Sequence, residues 1–179
     1  MDVLTTEQRR LNMSRVRGRD TKPEMQIRRG LHARGLRFRL HCKELPGRPD
    51  LVFPKYRTVL FVHGCFWHAH DCPMFKWPQT REEFWREKIT KNVDRDRIAL
   101  SRLRDQGWRV LTVWECSLRG PGRYSLDHVL QRCEDFILDT DHELDEISGS
   151  HRLQPASSAT SARDWHTTPP APPSRRQDR

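Results

Sequence analysis

The chain has 179 residues, 35% of them hydrophobic and 32% charged, and 33 Lys or Arg against 24 Asp or Glu give a formal charge of +9. That length suits one domain, or one domain with an extension; no apolar run reaches the about 18 residues of a membrane span, and no charged-then-apolar start marks a signal peptide. Five cysteines, an odd number, argue against a secreted disulfide framework and for ligand thiols in a reducing compartment, and the basic excess points to a polyanion, nucleic acid first.

Taken in chain order, residues 5–19 read as a basic helix. Thr21-Lys-Pro-Glu24 is a capping box that opens a helix running to Gly35. Three short strands follow, at 36–41, 48–53 and 57–63, the last an apolar run expected at the centre of a sheet. Thr80-Arg-Glu-Glu83 is a second capping box, opening a long helix that Gly107 ends. Residues 109–115 form a further strand, and 125–138 a helix with Leu126, Val129, Leu130, Cys133 and Ile137 on one stripe. This order predicts a small mixed α/β sheet flanked by helices. Composition changes near Ser148: residues 148–179 hold five of the twelve prolines and six hydrophobics. Such a stretch cannot bury enough apolar surface to offset its ordering entropy, so the expected division is a domain at 1–147 and a disordered tail at 148–179.

The densest chemical signal is HGCFWHAHDC, residues 63–72. Cys65, His70 and Cys72 on this loop, with Cys116 after the strand at 109–115, make a complete tetrahedral zinc set. Four protein ligands leave no open position, so such a zinc is structural. Buried free thiols beside a hydrogen-bonded histidine are the alternative. Cys133 reads as core, and Cys42 has no evident partner. His63 and His68 are then left over for proton transfer or phosphate contact.

Asp50 ends the turn Pro-Gly-Arg-Pro-Asp at the start of a strand, either as a turn cap or as a metal ligand. Asp96 falls on the stripe of Ile89, Val93, Leu100 and Leu103, where an acid needs a cation, a metal or firm hydrogen bonds. Glu24 either caps its own helix or joins these acids around a hard ion such as Mg²⁺. Residues 9–39 hold eleven Arg or Lys against two acids. Phe66, Trp67 and Trp85 are candidates for stacking on bases, with a core position the alternative for each, and Met13 on the basic first helix is either a further wedge or packing.

Together, NMSRVRGRDT (12–21), LPGRPDLVF (45–53), VLFVHGCFWH (59–68), FWREKITKNVDRDR (84–97) and GWRVLTVWEC (107–116) resemble the very short patch repair endonucleases over about residues 8–138. The resemblance implies a restriction-endonuclease-like mixed sheet flanked by helices, with a structural zinc site. It also implies a cytoplasmic, nucleoid-associated bacterial enzyme that nicks one strand, with Mg²⁺, 5′ to the thymine of a T·G mismatch left by 5-methylcytosine deamination. In that reading Asp50 and the Val62 backbone carbonyl hold Mg²⁺, while Glu24 and Asp96 act through metal-bound waters. His68 is the base, supported by His63; Cys65, His70, Cys72 and Cys116 hold zinc. Phe66, Trp67, Trp85 and Met13 intercalate in the duplex, and the 5–19 helix grips it. The implied partners are mismatched double-stranded DNA and general mismatch-repair proteins; neither a membrane nor a second copy of the chain is required.

Two departures stand out. The strand after the aspartate carries no acid and lysine, as it does in the wider superfamily, but Val62-His63-Gly64. The metal loop has Ala69 and Asp71 where relatives often have histidines. A zinc-stabilised DNA-binding module without catalysis, or an enzyme cutting both strands, are the competing readings. The first leaves Asp96 and two histidines unexplained.

Overall fold

The computed structural model describes residues 7, 8, 11 and 18–150. Met13, most of the 5–19 helix and the tail beyond residue 150 lie outside the described residues.

Thr21 caps the helix α1 (Lys22–Ala33), its hydroxyl accepting the Glu24 N–H. Three strands follow: β1 (Arg39–Leu40), β2 (Leu51–Phe53) and β3 (Thr58–His63). The long helix α2 (Glu82–Asp105) precedes β4 (Arg109–Trp114), a one-turn helix α3 (Glu115–Leu118), α4 (Leu126–Leu138) and β5 (Leu144–Ile147). The sheet runs β1-β2-β3-β4-β5, antiparallel through the first three strands and parallel from β3 onward. The expected mixed sheet flanked by helices is therefore what the chain forms. Among the described residues, no helix is long and apolar enough to cross a membrane.

Period-two alternation sorts the strands onto two faces. Leu51, Phe53, Leu60, Leu111 and Val113 point to one side, where Ile27 and Leu31 of α1 and Val129, Cys133 and Ile137 of α4 close the main core. Val52, Val59, Phe61 and Val110 point to the other and meet Leu103 and Leu100 of α2. Cys133 is core, and burial pushes its thiol up to about 12. Cys42 packs at the edge of the second core.

Four boundaries differ from the sequence reading. Thr80 is not the cap of α2: Arg81 holds that position in the left-handed region, with no side-chain cap bond. The strands at 36–41 and 48–53 shorten because the chain turns at His41 and Arg48, both at positive φ. Glu115 belongs to α3 rather than to the strand. The fifth strand, β5, was not expected. Leu144 is exposed and Ile147 alone is buried, so this edge strand lacks the alternation that marks a half-buried one.

Gly47 shows how closely the turn before Asp50 approaches α2. Its φ is +70°, and a Cβ there would sit 2.7 Å from the Ala99 Cβ and 3.2 Å from the Phe61 ring. Gly47→Ala is expected to destabilise the fold by about 1–3 kcal/mol through overpacking, with roughly 1–2 kcal/mol more from left-handed backbone. Urea denaturation measures this; an unchanged midpoint would contradict the close approach.

Candidate active site and metal cluster

Parallel pairing carries β3 and β4 to a common end, where His63 is opposite Trp114. The loop leaving β3 and the turn leaving β4 therefore emerge side by side. The loop folds back on itself, Trp67 N–H donating to Gly64 O and His70 N–H to Cys65 O. Asn92 of α2 donates to Trp67 O and ties the loop to the helix.

Ligand atoms of Cys65, His70, Cys72 and Cys116 lie within 4.8 Å of one another. Cys65 and Cys116 are buried, and the His70 ring stacks on Trp114 at 4.1 Å. A hydrogen bond with Cys116, then burial, hold the Cys65 thiol far above the ordinary thiol range. Three thiols and an imidazole at this spacing fit a soft divalent cation, which would favour the thiolates.

A cleft of about 460 Å³ brings together Asp50, Val62, His63, His68 and Asp96. Asp50 accepts the Val62 N–H at 2.8 Å on Oδ2. Desolvation is the main reason its carboxyl rises from the usual 3.8 to about 7, opposed by that bond and helped by the nearby Glu24 charge. A carboxylate desolvated in this way, with one oxygen turned away from the amide, fits a hard cation that would offset its cost. Asp96 does lie on the inward stripe of α2, with its side chain 28% exposed to the cleft, and its Oδ2 is 2.5 Å from His68 Nδ1. Its neighbour Asp94 faces solvent beside Arg97.

His63 and His68 stack face to face at 3.9 Å, with Trp114 edge-on to His63 at 5.4 Å. Enclosure by these rings, and secondarily the charge of His68, hold His63 well below the ordinary imidazole range, so it is neutral at pH 7.

Glu24 is buried and lies outside the cleft lining, reaching it through a residue that the sequence did not single out. His41 Nε2 lies 3.2 Å from Glu24 Oε1 but out of line for a hydrogen bond, while Nδ1 is 3.7 Å from Asp50 Oδ1. Asp20, Glu24 and His41 cluster closely enough to be metal ligands, as do His63, His68 and Asp96. Arg28 already pairs with both Asp20 and Glu24. Asp50, the expected metal residue, belongs to neither cluster and stands between them.

Phe66, Trp67 and Trp85 meet in one half-buried group, with centroids 5.2, 5.3 and 6.0 Å apart. The Lys88 ammonium lies 5.4 Å above the Trp67 ring. A second cavity shares Gly18, Val62, His63 and His68 with the first and extends it to Trp67 and Lys88.

The family model described as DNA mismatch endonuclease Vsr matches residues 1–74. The chain is 50% identical over 136 residues to the DNA mismatch endonuclease Vsr of Escherichia coli (strain K12), spanning 76% of this chain and 87% of that protein. The chain belongs to the Vsr family. It is also 50% identical over 121 residues to the type II nicking enzyme V.XorIIP of Xanthomonas oryzae pv. oryzae, covering 68% of this chain and 89% of that one. A solved structure, the catalytic domain of homing endonuclease I-Bth0305I, aligns with 66% of this chain and 96% of its own length at 22% identity and a TM-score of 0.45.

The Asp50 environment makes a pH-dependent difference measurable without added divalent cation. Its folded pKa lies above its unfolded one, so between about 4 and 7 the folded chain binds more protons and loses stability as pH rises. Asn cannot ionise and can still accept from Val62. The stability advantage of Asp50→Asn over wild type should therefore grow from pH 4.5 to pH 8. Parallel urea midpoints across that range would contradict the desolvated site.

Proposed function

We propose that this chain is a Mg²⁺-dependent nickase cutting one strand 5′ to the thymine of a T·G mismatch, as its family membership and cleft support. One observation carries the reading: the cleft with its acids and imidazoles shares Val62, His63 and His68 with the cavity that reaches Trp67 of the aromatic group, and one loop bears both His68 and Trp67.

In this proposal Asp50 and the Val62 carbonyl hold Mg²⁺, with Glu24 and Asp96 in support. When bound there, the cation would supply Lewis-acid polarisation of the scissile phosphate and stabilisation of the charge developing on it. Asp96 accepts from His68 Nδ1, which fixes the proton on that nitrogen and leaves Nε2 free to accept one from water. His63, neutral and stacked on His68, restrains its ring plane without adding positive charge. Phe66, Trp67 and Trp85 part the bases, at a cost of a few kcal/mol that is lower where pairing is already poor.

The cysteine cluster holds a structural zinc, which keeps loop and wedge in register with the cleft. The basic helix at 5–19 grips the duplex with Met13 on the minor-groove side, and the tail beyond residue 150 adds attraction to phosphates. One copy suffices to nick one strand, on the nucleoid in a reducing cytoplasm, with general mismatch-repair proteins as further partners.

A gel assay tests the reading: T·G and fully paired duplexes are incubated with and without Mg²⁺. A Mg²⁺-dependent nick only in the mismatched duplex is expected; cleavage of paired DNA, or none, contradicts it. General-base removal typically costs about 10²–10⁴-fold. His68→Ala should slow nicking by that order with duplex affinity preserved, and unchanged turnover would remove His68 from the chemistry.

A further inference from the structure

Residues whose composition groups them with the tail reach the cysteine cluster at Cys116. After β5 the chain passes beside α3, and Gly149 is buried there. Its N–H donates to the Cys116 sulfur at 3.3 Å. The next residue anchors the strap: Ser150 N–H donates to Gly122 O at 2.7 Å, and the Ser150 hydroxyl donates to the same carbonyl at 3.2 Å. A Cβ at position 149 would lie 2.5 Å from Cys116 O, 2.9 Å from Gly122 O and 3.0 Å from the Cys116 carbonyl carbon. All three are backbone atoms, which cannot swing aside as a side-chain end would. Glycine alone fits.

Cys116 differs from the other three ligands because it does not sit on the loop after β3. It comes from α3, so its sulfur must be brought to the cluster separately, and it lies 3.5 Å from His70 Nδ1. A buried thiolate accepting a backbone N–H gains a charge-assisted bond, and such outer partners orient ligands and tune a metal site.

We propose that Gly149 is a positioning residue of the metal cluster. Its amide hydrogen-bonds the Cys116 sulfur, and the strap 148–150 belongs to the metal centre, extending the endonuclease unit through Ser150. The inference rests on the zinc reading above and predicts more than that reading does, namely that a position distant from the ligand-bearing loop governs metal retention.

Full-length wild type, Gly149→Ala, Ser150→Pro and Ser150→Ala proteins are compared by zinc content, by zinc transfer to a colorimetric chelator, and by absorption after Co²⁺ substitution. Ser150→Pro removes the 2.7 Å anchor and sets a ring carbon toward Gly122 O, displacing the strap while residue 149 stays glycine, so it remains informative if Gly149→Ala fails to fold. Losing an outer partner typically costs about 10–100-fold in metal affinity. Gly149→Ala and Ser150→Pro are expected to lose zinc affinity by that factor and to shift the sulfur-to-cobalt charge-transfer band. Ser150→Ala keeps the backbone N–H and should behave as wild type. Zinc retention and a cobalt spectrum unchanged in both Gly149→Ala and Ser150→Pro overturn the proposal while leaving the zinc site intact. Wild type without zinc overturns the zinc reading and the proposal with it.

Discussion

The parallel pairing of β3 with β4 is the constraint on which the site depends. Six residue pairs, from Thr58 with Arg109 to His63 with Trp114, bring both strands to one end together. Cys65 and Cys116 follow within two residues of those ends, and this places two ligands at one point before the loop contributes any. Trp114 is the shared wall. Its indole stacks on His70 on the cluster side, meets His63 edge-on at the cleft, and is anchored by its N–H on Glu146 of β5. A change in the register of β3 against β4 would displace the metal cluster and the imidazole pair together.

Around that frame the chain concentrates features that cost stability. Glu24 is almost fully buried and Asp50 mostly so, and burial alone disfavours both charges. Arg28 offsets part of that cost on the Glu24 side, and Val62 N–H does so for Asp50. Three of the six non-glycine residues at positive φ among the described residues, His41, Arg48 and Ala69, lie in the segments that present Asp50 and the metal loop. A fold that keeps such residues there holds its carboxylates and imidazoles in place before any substrate or cation arrives.

The sequence made the residues legible wherever chemistry required an unusual type in an unusual place. Four soft ligands on one loop and one strand end, an acid on the apolar stripe of α2, and aromatics between metal ligands all stand out against their local pattern. The three-helix, four-strand order also follows from capping and periodicity. What escaped was set by tertiary contact alone. His41 lies in a turn with no motif of its own and gains meaning only from facing Glu24 and Asp50. Asn92 looks like an ordinary helix residue until its amide meets Trp67 O. β5 could not be read because an edge strand with one buried residue has no alternation, and the bond from Gly149 to Cys116 joins residues 33 positions apart. Thr80 failed as a cap because Arg81 turns into the left-handed region just before α2.

In the proposed function one pinned loop serves both the cleft and the duplex. The most direct measurement is a crystal structure of the protein on a T·G duplex, with Mn²⁺ located by its anomalous scattering. Mn²⁺ on the Asp50 carboxylate and Val62 carbonyl, with Phe66, Trp67 and Trp85 between base pairs, is the expected result. Mn²⁺ held by Asp20, Glu24 and His41 away from Asp50, or the three rings lying outside the duplex, would contradict it.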